Sequence, residues 1–207
     1  MYLWARSRLA NTSRPGEAAA AVVEAAGRAS GIIGRPVWAW ASVVSPATGT
    51  FMWSTRVDSL DEIVAGEDAI FASKDFMKFI KENDDRFTGP LTDSVSEVVY
   101  GAPDETPNTY VMVGRAAAAN GSLGEASAIG VEIAEYATKS TGRTTLLATS
   151  VTGEFGGFRW ITGYPDLATL SAETGKLGAD QDWIKLLDRA GHAFAPGVTT
   201  SVIRRIN

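Results

Sequence analysis

The chain of 207 residues contains no cysteine. Disulfides, thiolate nucleophiles and cysteine-ligated zinc or iron–sulfur sites are therefore excluded. It contains a single histidine, His192. The carboxylate at helical spacing from it is Asp188, and one such pair does not make a metal site. No Ser–His–Asp arrangement can be assigned, and the glycine-rich stretch Gly153–Gly157 lacks both the dinucleotide-binding spacing and the lysine of a phosphate loop. Basic excess is also missing. The net charge is −5 and the pI about 5.0, which disfavours nucleic acid. Arg204 and Arg205 are adjacent, and in a strand they point to opposite faces. No run reaches the roughly 18 apolar residues of a membrane span. The first residues do not read as a secretion signal, so a cytoplasmic protein is expected. The sequons at Asn11 and Asn120 then read as turns.

What is present is a pattern written twice. "KDFMKFIKENDDRF" (residues 74–87) has a near twin in "QDWIKLLDRAGHAF" (181–194), 107 positions on. "GTFMW" (49–53) matches "GGFRW" (156–160), and "TDSV" (92–95) matches "TTSV" (199–202), at the same offset. "GEAAAAVVEAA" (16–26) matches "GEASAIGVEIA" (124–134), and Gly34-Arg35 matches Gly142-Arg143, at 108. Arg8 aligns with Arg115 at 107, which pairs Trp4 with Val111 and Arg6 with Val113. This alignment needs two single-residue adjustments, one in a β-to-α loop and one in a hairpin.

Each copy predicts the same elements. An aromatic-rich strand opens it ("YLWARSRLA"). An alanine-rich helix follows, with Pro15 in its first turn and Gly31 at its exit. A hairpin comes next ("PVWAWASVV" and "GTFMWSTRV"). Ser59 and Glu62 form a capping box for a helical region running to about Arg86, interrupted near Ala72–Ser73. "TDSVSEVVY" is the last strand. The order is β-α-β-β-α-β, a ferredoxin-like unit. The domains expected are 1–101 and 109–207, joined by a linker at 102–108 rich in proline and acid. In the first strand, Leu3, Ala5, Ser7 and Leu9 suit the helix side. Tyr2, Trp4, Arg6 and Arg8 take the other face. Burying that bare, aromatic face on its twin would close the sheets into a barrel.

This order, the length of each copy and the aromatic strands resemble the dimeric α+β barrel superfamily in its tandem, fused form. Members include antibiotic-biosynthesis-type monooxygenases, haem-degrading monooxygenases, EthD-like and NIPSNAP-like proteins. The fold implied is α+β, with two tandem ferredoxin-like repeats packed as an intramolecular dimeric α+β barrel. Two functions follow from the resemblance. One is a NIPSNAP-like binding or interaction protein with no defined catalysis, with a small apolar or aromatic ligand and no cofactor, and with scope for a homo-oligomer. The other is a cofactor-independent monooxygenase acting on an aromatic substrate. The ligand-facing residues expected are Tyr2, Trp4, Arg6, Arg8, Trp53 and Trp160.

The haem-degrading members carry a ligating histidine near the end of the second helix, a tryptophan nine or ten positions before it and an asparagine on the first strand. Trp183 and His192 are nine apart in that element, which makes them candidates. Against them stand three observations. No asparagine lies in Tyr110–Arg115. Nine residues put Trp183 and His192 on opposite helix faces. Gly191 reads as a helix stop. The competing reading for Arg8 and Arg115 is a strand-end arginine that pairs with Glu97 or faces water.

Overall fold

A computed structural model describes residues 1–207. The elements are β1 (Tyr2–Ala10), α1 (Pro15–Ile33), β2 (Trp38–Val44), β3 (Thr50–Val57), α2 (Leu60–Ala72), α3 (Lys74–Glu82) and β4 (Phe87–Tyr100). The same order returns as β5 (Tyr110–Ala117), α4 (Leu123–Thr141), β6 (Thr145–Ser150), β7 (Gly157–Tyr164), α5 (Leu167–Ala179), α6 (Gln181–Ala190) and β8 (Thr199–Arg205). Residues 101–109 between them carry neither helix nor strand. The fold is mixed α+β. Its strands are hydrogen-bonded in the order β1-β3-β2-β8-β5-β7-β6-β4, closed as a barrel. Packing groups Met1–Ser96 with Arg204–Asn207 as one unit and Glu97–Ile203 as a second.

In the first unit, Pro15 opens α1, where its missing N–H costs nothing. The helix runs past Gly31 and ends at Gly34, whose φ of 67° is the left-handed conformation that glycine adopts without strain. The exit is thus three residues later than the sequence suggested. The second helical region breaks at Ser73, whose hydroxyl caps α3 by accepting from the Phe76 amide. Ser59 caps α2 by accepting from the Glu62 amide at 3.3 Å. The returning Glu62 carboxylate accepts from the Asp58 amide at 2.8 Å, one residue before the position a capping box requires.

The face assignment of β1 is corrected by its register. Trp4 lies opposite Thr55, Arg6 opposite Trp53 and Arg8 opposite Phe51. Trp53 donates its indole N–H to the Val22 carbonyl of α1 at 2.9 Å, so this face lies under the helices. Trp4 and Phe51 are buried in the core with the α1 alanines. Leu3, Ala5, Ser7 and Leu9 therefore face away from the helices. So do Trp38 and Trp40, whose register partners are Ser54 and Met52.

The second unit repeats this register with one change. Trp160 donates to the Gly130 carbonyl of α4, again at 2.9 Å, as Trp53 does to α1. Trp53 and Trp160 thus hold equivalent places. Gly114 lies opposite Trp160, where Arg6 lies opposite Trp53. The counterparts of Trp4, Arg6 and Arg8 are accordingly Met112, Gly114 and Ala116, not Val111, Val113 and Arg115. Arg115 sits on the other face, opposite Arg159. Leu147 and Ala39 are likewise equivalent, each opposite its tryptophan. The offset is 108 from β1 through β2 and 107 from β3 onward. A single adjustment, in the hairpin, suffices. A one-residue slip in a strand alignment exchanges its two faces.

Candidate functional site

The first unit holds a chamber of about 520 Å³ between its sheet and its helices. This lies within the roughly 300–1,000 Å³ range of small-molecule sites. Three causes create the space. Ala21, Ala25 and Ala29 recur every four residues on α1, so successive turns of the helix roof present only methyl groups, with Ile33 at the far end. β1 contributes Trp4, Arg6 and Arg8 to one wall. The break at Ser73 lets α2 and α3 bring Ile70, Phe76 and Phe79 in from separate directions.

The polar groups of the chamber are few and specific. Arg6 donates from Nε to Asp93 Oδ1 at 2.7 Å and from Nη2 to Asp93 Oδ2 at 2.9 Å, a two-pronged pair on β4. It also donates to Glu67 of α2. Burial works against the Arg6 charge, yet its hydrogen bonds and charge interactions with Asp93 and Glu67 outweigh burial and raise its pKa. The guanidinium carbon stands 5.0 Å from the Trp4 ring centroid, a cation–π contact. Arg8 donates from Nη1 to Asp84 at 2.8 Å and lies 5.1 Å from the Phe87 ring. Its Nε is buried and has no acceptor. Asn83 is buried and donates to the Phe79 carbonyl at 2.7 Å.

Of the residues singled out in the sequence, Trp4, Arg6, Arg8 and Trp53 meet in this chamber. They do so on the helix side of the sheet, not on the opposite face expected of them. Tyr2 packs against the core of the unit and is not in the chamber wall. The expected pairing of Arg8 with Glu97 is replaced by Asp84. Glu67, Asp84 and Asp93 carry the electrostatics and were not anticipated. They lie 61 to 87 positions from the arginines they meet, and no local pattern marks them.

Trp160 and Trp183 line an equivalent chamber of about 560 Å³ in the second unit. His192 does not. It is 63% exposed, and its Nε2 lies 2.8 Å from a carboxylate oxygen of Glu125. The residues present do not fit a histidine-ligated haem in that chamber, because the one histidine of the chain points out of it.

No family model matches the chain, and no curated protein matches it. Solved structures share its fold. A "Putative monooxygenase" from Fusobacterium nucleatum superposes with a TM-score of 0.72 at 11% identity, over 100% of this chain and 92% of that one. An anthrone oxidase-like protein gives 0.66 at 9% identity, over 100% and 91%. A mutant chlorite dismutase from Candidatus Nitrospira defluvii gives 0.52 at 13% identity, over 98% and 91%. The likeness is one of fold.

Proposed function

We propose that the first unit binds an aromatic small molecule carrying an oxygen acceptor. The observation that carries this reading is the buried Arg8 Nε–H, which has no acceptor, on a side chain that lines a chamber walled largely by rings and aliphatic groups. A buried donor left unpaired costs about 1–3 kcal/mol, and a ligand carbonyl or phenol oxygen would recover that cost. Trp4, Phe76 and Phe87 supply apolar area, and Arg6 is held rigid by its two acids. In this reading the chain is a binding protein without defined catalysis, as the NIPSNAP-like resemblance implies.

A second reading adds oxygen chemistry. It is supported by the fold neighbours named as a monooxygenase and as anthrone oxidase-like. An electron-rich aromatic held away from water can itself reduce O₂. For anthrone, the two hydrogens of the central methylene carbon would be replaced by one oxygen atom, and the other oxygen would leave as water. The protein's part would be to hold and orient the ring and to accept a proton, with Glu67, Asp84 and Asp93 the carboxylates that line the chamber.

Anthrone is the probe for both. Binding is read as quenching of tryptophan fluorescence, and turnover as O₂ consumption. Arg8→Lys keeps a cation for Asp84 and removes the Nε donor. We expect it to weaken binding by roughly 10- to 100-fold, the value of a hydrogen bond from a charged donor. Equal affinity in wild type and Arg8→Lys would sink the binding reading. Binding without O₂ consumption would remove the second reading alone.

A further inference from the structure

We propose that the chamber of the second unit is a separate ligand site that takes an uncharged, largely hydrocarbon molecule of fused-ring size. The argument starts from equivalence. Trp53 and Trp160 make the same hydrogen bond to the first helix of their unit, so the two chambers occupy corresponding places. On the strand beneath, the first unit presents Trp4, Arg6 and Arg8, and the second presents Met112, Gly114 and Ala116. Two cations and a large ring are thereby exchanged for a thioether, a bare Cα and a methyl. The acids disappear with the arginines. No Asp, Glu, Lys, Arg or His lines the second chamber, although its volume is about 560 Å³.

The polar side chains that remain in its wall, apart from exposed Thr200 and the Trp183 indole, already have partners. Thr145 and Thr162 hydrogen-bond each other through their hydroxyls at 2.8 Å. Thr141 donates to the Ala137 carbonyl at 2.7 Å. The Trp160 indole is committed to Gly130. Tyr164 is 1% exposed, and its phenol is hydrogen-bonded to Thr162. Burial, more than any charge, pushes that phenol's pKa up, in keeping with a low-dielectric interior. A charged ligand would lose its hydration here and meet no counter-ion, at a cost of several kcal/mol. An uncharged ring system would lose little and gain the faces and edges of Trp160, Trp183 and Phe194. Trp160 and Phe194 already meet edge to face, 5.4 Å between centroids, which fixes the wall in shape.

The experiment uses the full chain and two probes of one shape, pyrene and pyrene-1-sulfonate. Pyrene binding is followed by energy transfer from tryptophan. Gly114→Phe blocks the chamber, because a Cβ there meets only the Trp160 side chain at 3.7 Å and the ring beyond it enters the cavity. We expect wild type to bind pyrene, and Gly114→Phe to lose one equivalent of it or at least tenfold in affinity. Pyrene-1-sulfonate should compete for that equivalent at least about 100-fold more weakly. Gly114→Leu serves if the phenylalanine variant does not fold. Unchanged pyrene binding in a folded Gly114 variant, no pyrene binding by wild type, or equal affinity for the sulfonate would each overturn the proposal. The site in the first unit is read separately by Arg8→Lys, so failure of one reading leaves the other standing.

Discussion

A cation can sit under a helix layer only when its charge is met there, and Arg6 is met twice. Its side chain is 17% exposed and holds Asp93 and Glu67. Replacing it with methionine keeps the stem and leaves two half-buried carboxylates near each other without a cation. We expect Arg6→Met to lose about 1–3 kcal/mol of unfolding free energy in urea at pH 7, discounted for the partial exposure of both acids. Adding Glu67→Gln should restore part of that loss. Additive costs in the double variant would show that the pair is not coupled. The same residue shows what the sequence could and could not tell. Alternation along "YLWARSRLA" separated Trp4, Arg6 and Arg8 correctly from Leu3, Ala5 and Ser7. It did not say which set faces the helices. The aliphatic set looked like the core set because arginine is costly to bury. The acids that remove that cost come from α2 and β4, far along the chain, and local sequence does not show them.

At the scale of elements, the break in the second helix was legible in the first unit, near Ala72–Ser73, and the reason both units break there is in the capping residues. Ser73 and Asp180 both end one helix and cap the next. Asp180 does more than Ser73. Its carboxylate accepts from the Tyr136 hydroxyl of α4 at 2.7 Å and from the amides of Asp182 and Trp183 at the start of α6. Trp183 in turn lies 5.7 Å from the Tyr136 ring. The Tyr136 hydrogen bond, followed by those amides, lowers the Asp180 pKa below its ordinary value. A carboxyl group depressed in the folded state contributes stability that is complete above the ordinary carboxylate range. That contribution is lost as pH falls through the folded value. We therefore expect Asp180→Asn to melt below wild type at pH 7, with the gap closing as both are titrated below about pH 4. A gap independent of pH would assign the effect to shape rather than charge. The capping role of Asp180 could be read from its place before "QDWIKLL". The tie to Tyr136 could not, since the two are 44 positions apart.

At the scale of the whole chain, the repeated element order was the clearest message of the sequence. The strand ends are where it misled. The alignment of Arg8 with Arg115 rested on a single residue type and put one strand out of step by one. Only hydrogen-bond register, with Gly114 opposite Trp160, corrects it. The last four residues carry a related lesson. They close the second half of the sequence, yet they pack with residues 1–96. The Ile206 amide donates to the Ala39 carbonyl at 2.9 Å. The Asn207 side chain accepts from the Ala39 amide and donates to the Val37 carbonyl, each at 2.9 Å. Three hydrogen bonds to the start of β2, at about 0.5–1.5 kcal/mol net each, amount to roughly 2–4 kcal/mol. Deleting residues 204–207 should then lower Tm by roughly 5–15 °C, since about 1 kcal/mol moves a domain of this size by 2–4 °C. Asn207→Ala, which removes only the two side-chain bonds, should show a smaller drop in the same direction. The chain terminus is held by an amide side chain that pairs with the donor and acceptor of neighbouring backbone groups. Asn207→Asp keeps the acceptor for the Ala39 amide but replaces the Nδ2 donor with a second acceptor, which then faces the Val37 carbonyl. That variant should accordingly melt no higher than Asn207→Ala. Wild-type stability in all three variants would mean that β2 does not depend on the C-terminus for its edge.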